Sequence, residues 1–194
     1  MINFPYKIIL ASASPRRQDF LKALEIPFEI RLKEVEEVFP PTLKREEITN
    51  FLAILKAEPF LKELKKDEIL ITSDTIVWLD NAALGKPKNY HEAFSMLKSL
   101  SGRMHEVITS ICLTSNRKQV IKHDMTKVYF KELKEEEIKF YLESFKPYDK
   151  AGSYGIQEWI GLIAVTKIEG SYFNVMGLPT EKLYTSLEEF TAEG

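Results

Sequence analysis

The run Ile8-Ile9-Leu10-Ala11-Ser12-Ala13-Ser14-Pro15-Arg16-Arg17 most constrains the fold. It commits the chain to an apolar strand that passes through a loop of small residues directly into a helix. Pro15 suits the first helical position, where a missing N–H costs nothing, and Ser14 is a good cap before it. The two arginines run against this grain. A helix N-terminus carries roughly half a positive charge, so cations in its first turn are disfavoured by a few tenths of a kcal/mol each. Two cations beside exposed backbone donors instead make a receptor for an anion, most simply a phosphate. A local rule broken without compensation marks a candidate functional site.

Downstream, strand and helix patterns alternate, which predicts an α/β architecture. A helix is expected over residues 15–24, a strand over 28–35, and a helix carrying Ile48, Phe51, Leu52 and Leu55 on one face, ended by Pro59. A buried strand over 69–72 resumes at 75–79, and Asp80-Asn81 is a turn signal before Leu84-Gly85-Lys86-Pro87. Asn89 with Glu92 opens a helix to about Leu100 as a capping-box variant, and Ser101-Gly102 stops it. Strands over 106–114 and 119–130 form a hairpin around Ser115-Asn116, followed by an amphipathic helix over 134–144. A loop over 146–157, a strand over 162–168, a loop over 169–179 and a last helix from 180 to about 190 complete the chain.

The 194 residues fit one domain. A net charge of −2 with interspersed signs argues against a nucleic-acid-coating surface. Cys112 is the one cysteine, set in an apolar run and expected to be buried, so no disulfide framework forms within the chain. Residues 1–10 carry no secretory signal, and nothing approaches the 18 uninterrupted apolar residues of a membrane span. The expectation is a cytoplasmic protein. No P-loop, dinucleotide fingerprint or nucleophile elbow is present, and His91, His105 and His123 have no motif spacing.

Chemistry concentrates in three places besides the first loop. Asp74 interrupts an apolar strand and must be paired, metal-bound or at a site, because a naked buried carboxylate costs several kcal/mol. Gly85 and Pro87 aim Lys86, with Gly85 expected to allow close backbone approach. The irregular run Pro147–Gln157 is long enough to be functional. In it, the Gln157 amide offers both donor and acceptor to a nucleobase edge, whereas Asp149 and Lys150 read as an ion pair holding the loop and Trp159 as packing.

Together these segments resemble the Maf-like nucleoside triphosphate pyrophosphatases. The likeness is carried by LASASPRRQDFL, EVEE, SDTIVWLDNAALGKPKNYHEAFSMLKSLSGRMHEVIT, YDKAGSYGIQ and NVMGLP, in order along nearly the whole chain. The resemblance implies a single domain over 1–194 with an elongated mixed-sheet fold, similar to the inosine-triphosphatase-like architecture, with two lobes around a central cleft. It implies hydrolysis of a nucleoside triphosphate between its α and β phosphates, with a divalent cation (Mg²⁺, Mn²⁺ or Co²⁺) and usually as a homodimer. Carried over, Ser12, Arg16, Arg17, Lys56 and Lys86 bind the triphosphate and Asp74 is the catalytic carboxylate. Glu37 joins Asp74 at the metal, and Arg16, Thr75 and Gln157 match the subgroup preferring dTTP and UTP. An ordinary aspartate, with a pKa of about 3.9, is a poor base at neutral pH, so either burial raises it or Asp74 works mainly by binding the metal and orienting an activated water, with a slight preference for the second role. The chain departs from the family at Glu158, where relatives run GIQG, and at Glu58-Pro59, which would end the Lys56 helix early. A regulator of septum formation and cell division without significant turnover is the alternative reading.

Overall fold

A computed structural model describes residues 5–192; of the N-terminal stretch read for a signal, residues 1–4 lie outside the described residues. The fold is α/β, built on a seven-stranded mixed sheet ordered β2-β1-β3-β5-β6-β7, with β4 paired to β3. The strands are β1 Lys7–Leu10, β2 Phe28–Ile30, β3 Glu68–Leu79, β4 Ala82–Leu84, β5 Met104–Thr114, β6 Gln119–Phe130 and β7 Val165–Glu169. The helices are α1 Pro15–Ala23, α2 Glu46–Ala57, α3 Tyr90–Leu100, α4 Glu135–Phe145, α5 Trp159–Ala164, α6 Tyr172–Val175 and α7 Thr180–Ala192. The chain forms two compact units. The first runs through Asp74, then takes Thr109–Asp124 and the chain from Gly177 onward; the second comprises Thr75–Ile108 and Met125–Met176.

In the first unit β1 runs parallel to both β2 and β3, with Leu10 opposite Ile71. Both sheet faces are covered, as parallel strands require. Ile8, Leu10, Ile69 and Ile71 face Leu21 of α1 and Leu183, Leu187 and Phe190 of α7. The alternate residues Ile9 and Leu70 pack on Ala57 of α2 and on Phe60 and Leu64 beyond it. Ser14 sits at the N-cap of α1, yet its side chain caps nothing, contrary to expectation. The helix closes on Glu25 in the left-handed region, with Ile26 N donating to Leu21 O at 3.0 Å. Strand β2 is shorter than its alternating pattern predicts, because β1 offers it three partners and no more. Past it, Arg31 turns to a bidentate pair with the buried Glu68 at 3.0 and 2.6 Å, which holds the Glu68 carboxyl below its ordinary pKa.

In the second unit the core joins Val77 and Leu79 of β3, Leu97 and Leu100 of α3, Val107, Val128, Ile138, Leu142 and Ile160. Asp80 and Asn81 both take positive φ, the two-residue turn that β3–β4 pairing demands. Asn89 caps α3, its side chain accepting from Glu92 N at 3.0 Å. The strand expected over 162–168 is a correction: Trp159–Ala164 is helical and the strand starts only at Val165. A short apolar run does not reveal its period. Here Ile160 and Ala164 face the core at helical spacing while Leu162 is 81% exposed. The loop expected over 169–179 likewise holds the single turn α6, capped by Ser171, and its buried Asn174 amide donates to Val107 O and Thr126 Oγ1. Cys112 is buried as expected.

One pairing inside this unit was invisible to spacing. His105 is 1% exposed, hydrogen-bonded through Nε2 to the Tyr154 hydroxyl at 2.7 Å and edge-on to Phe130. Burial pushes its pKa down from 6.5 to about 3. The unfolded chain therefore binds the proton first, and stability present above pH 6.5 is lost as pH falls toward 3. We expect an acid slope of about 1.4 kcal/mol per pH unit in that window from this group. His105→Gln, which keeps a hydrogen-bonding partner for Tyr154, should flatten that slope in denaturant titrations at stepped pH.

Candidate active site

The parallel pairing of β1 with β3 positions the candidates of the first unit. Ala11 N donates to Ile71 O at 2.9 Å, which carries Ser12 past the end of β1 alongside the end of the β3 segment in the same unit. Ser12 is buried; its Oγ accepts from Ser14 N at 3.3 Å and its carbonyl from Gln18 Nε2 at 3.2 Å, so the loop is tied down on both sides of Pro15. Arg16 and Arg17 follow in the first turn of α1, both half-buried. Arg17 reaches across two elements, donating from Nε to Gly177 O at 2.8 Å and from its terminal nitrogen to Ser73 O at 2.9 Å. Its burial lowers its pKa, Asp74 opposes that, and Arg16 adds to it. Two carbonyls thus offset part of the charge that the helix terminus disfavours.

Asp74 is placed by strand alternation meeting helical repeat. Leu70, Thr72 and Asp74 share the β3 face that packs on α2. Thr72 Oγ1 donates to Ala53 O at 2.6 Å, and one turn further along α2 Lys56 Nζ donates to Asp74 Oδ1, also at 2.6 Å. Helix α2 does end directly after Lys56, at Ala57, where Pro59 imposes a 3₁₀ turn. The Lys56 ammonium simultaneously meets Glu37 Oε1 at 3.1 Å, from the irregular acidic segment after β2. Asp74 is 5% exposed, and its Oδ2 has no hydrogen-bond partner among the described residues. Burial raises the Asp74 pKa; Lys56 and, more weakly, Arg17 pull it down, while Glu37 pushes it up.

This arrangement is chemically suited to a polyanion and a hard cation. No group of three or more His, Cys, Asp or Glu clusters among the described residues. Two carboxylates, one with an unsatisfied buried oxygen, suit a divalent ion that takes its remaining oxygens from phosphates and water.

The second unit holds the other candidates. Thr75 follows Asp74 on β3 and is half-buried. Lys86 is exposed on the turn after β4. Gly85 has no protein atom within 4 Å of where a Cβ would stand, so packing does not demand glycine there; its role is its carbonyl, which accepts from Gly152 N at 3.1 Å. Gly152 is the demanding position, at φ +66 with Val77 2.7 Å from its missing Cβ. The loop that starts there ends on an exposed Gln157. Asp149 and Lys150 form the expected ion pair at 2.7 Å, and Trp159 packs edge-on against Phe140 at 4.8 Å. Sequence reasoning missed Tyr141, whose hydroxyl joins Glu158 and Gly155 N. Only the departure at Glu158 could have signalled it.

No helix among the described residues is long and apolar enough to cross a membrane. Comparison with known proteins adds the family. A curated dTTP/UTP pyrophosphatase of Flavobacterium johnsoniae is 65% identical over 182 residues, 94% of each chain. Those of Flavobacterium psychrophilum (60%, 95% of each chain) and Christiangramia forsetii (59%, 95% of this chain and 94% of the other) carry the same name. Among solved structures, the Staphylococcus aureus Ham1 protein aligns over 64% of this chain and 71% of its own, with 16% identity and a TM-score of 0.48. The family model described as Maf-like protein matches residues 7–190. With that span and those relatives, the chain belongs to the Maf-like family.

Proposed function

We propose that the chain is a nucleoside triphosphate pyrophosphatase that hydrolyses dTTP and UTP to the monophosphate and pyrophosphate. The observation that carries this reading is Asp74: a buried carboxylate with one oxygen held by Lys56 and the other unsatisfied, beside a helix terminus loaded with arginine. Phosphoryl chemistry of this kind asks for positioning and charge neutralisation more than covalent help.

Arg16, Arg17 and the Ser12 loop receive the triphosphate, with the Arg16 guanidinium able to grip two oxygens at once. Lys56 and Lys86 add point charge. Asp74 is the proton acceptor for the attacking water; burial raises its pKa in the metal-free protein, and a cation held at the same carboxylate would pull it back down. Glu37 and Asp74 would hold a divalent cation, Mg²⁺, Mn²⁺ or Co²⁺, which supplies Lewis-acid stabilisation of charge on the phosphates. Thr75 and Gln157 select the base, Gln157 through the pyrimidine edge, and Arg16 contributes to the same selection. The relatives' enzymatic names do not favour the alternative of a septum regulator without turnover. By family likeness we extend the proposal to a cytoplasmic homodimer, which light scattering tests as twice the 22.5 kDa chain mass.

A panel of nucleoside triphosphates with each of the three metals, scored for pyrophosphate, tests the reading; a preference for purines would overturn the base assignment. Arg16→Ala should lower kcat/KM for dTTP by about 10- to 100-fold, the worth of a charged hydrogen bond. Unaltered kinetics would remove Arg16 from the phosphate cradle.

A further inference from the structure

An ammonium group already joins the two carboxylates assigned to the divalent cation. Lys56 Nζ lies 2.6 Å from Asp74 Oδ1 and 3.1 Å from Glu37 Oε1, so one unit of positive charge bridges both acids. All three residues belong to the first unit.

More than these two acceptors holds the lysine there. It sits in the last turn of α2, where the partial negative charge of a helix end favours a cation. The Lys56 and Asp74 side chains are only 17% and 7% exposed, so their attraction is weakly screened, whereas Glu37 is 43% exposed on the irregular segment after β2. The ammonium satisfies one oxygen of Asp74 and leaves the other open: Oδ2 is buried, with no hydrogen-bond partner among the described residues.

A divalent cation drawn to Asp74 and Glu37 meets the Lys56 ammonium as a like charge in poorly screened surroundings, where repulsion is strong. Lysine carries three donors on a flexible four-carbon stem, so its ammonium can exchange a carboxylate for a phosphate oxygen. A triphosphate brings the negative charge that makes both cations favourable at once. Its oxygens complete the shell of a hard cation and accept from the lysine.

We propose that Lys56 is a resident counter-cation, which disfavours a divalent cation at Asp74 and Glu37 until a triphosphate binds, so that metal and nucleotide load together. The proposal rests on the reading of Glu37 and Asp74 as the metal carboxylates. Coupling of this kind is reciprocal: whatever the triphosphate adds to the metal's affinity, the metal adds to the triphosphate's.

The test uses Mn²⁺ as the probe and needs no turnover. Electron paramagnetic resonance of free Mn²⁺ measures its affinity for the nucleotide-free wild type, Lys56→Gln, Lys56→Met and Glu37→Gln. Both Lys56 variants should bind Mn²⁺ about tenfold more tightly than wild type, since each removes the opposing charge. Lys56→Gln also keeps a donor for Asp74 Oδ1, which guards against a collapsed site in the methionine variant. Glu37→Gln should bind Mn²⁺ more weakly. In thermal unfolding, Mn²⁺ together with a non-hydrolysable dTTP analogue should raise the wild-type melting temperature by more than the sum of the two separate shifts, and this excess should shrink in Lys56→Gln. A wild-type shift equal to the sum would overturn the coupling. Lys56 variants that bind Mn²⁺ no more tightly than wild type, while Glu37→Gln binds it more weakly, would overturn the counter-cation and leave the metal carboxylates standing. A Glu37→Gln variant with the wild-type Mn²⁺ affinity would overturn the metal reading and the counter-cation with it.

Discussion

Asp74→Asn should lower kcat for dTTP by about 10²–10⁴-fold, the range supplied by a positioned general base, while raising the melting temperature at neutral pH. The two halves of this prediction have one cause. Burial raises the Asp74 pKa, so the folded state is fully favoured by this group below the unfolded pKa and loses that contribution as pH rises through the folded value. At neutral pH the ionised carboxylate is a cost to stability that asparagine removes. Lys56 is not stranded by the change, because Glu37 remains 3.1 Å from its ammonium. In the metal-free protein the Asp74 carboxyl, followed by NMR, should titrate above the ordinary aspartate value of about 3.9, because burial raises it. A variant within tenfold of wild-type kcat, or one that melts lower, would contradict the role. Mn²⁺ affinity measured on the same variant separates the roles: a large loss of binding with a proportionate loss of rate would return Asp74 to being chiefly a metal ligand.

Arg17→Met should cost about 2–3 kcal/mol of stability as well as activity. Arg17 stitches together elements remote in sequence: its donors satisfy the carbonyls of Ser73 and Gly177, and its charge faces Asp74. Removing it orphans two acceptors and leaves a buried carboxylate with less compensation, each change costing about 1–3 kcal/mol before relaxation and the recovered desolvation of the guanidinium offset part of it. For a chain of this length the melting temperature should fall by about 5–10 °C. An Arg17→Met variant that melts at the wild-type temperature would contradict this structural role.

Much of the fold was legible because several elements announce themselves chemically. The Asn89 cap, the Asp80-Asn81 turn and the Pro59 stop each act through a local mechanism, and each holds in the structure. The misses share another origin. Trp159–Ala164 carries an apolar run too short to show its period, and only packing on Ile156 and the core selects the helix. The expected β2 beyond Ile30 had the right alternation but no partner to pair with. For the site, Asp74 stood out as a charge in an apolar strand, yet its tie to Lys56 required the register of β3 on α2, which no spacing encodes. Tyr141 and His105 were opaque for the same reason: their partners, Glu158 and Tyr154, lie 17 and 49 residues away.

The central claim is that these groups cleave the α–β anhydride of a pyrimidine triphosphate. Phosphorus NMR of the products from dTTP with Mg²⁺, compared between wild type and Asp74→Asn, tests it most directly. The account predicts monophosphate and pyrophosphate in equal amounts from the wild type and almost no conversion by the variant. Orthophosphate with a nucleoside diphosphate, or the same conversion by both proteins, would contradict it.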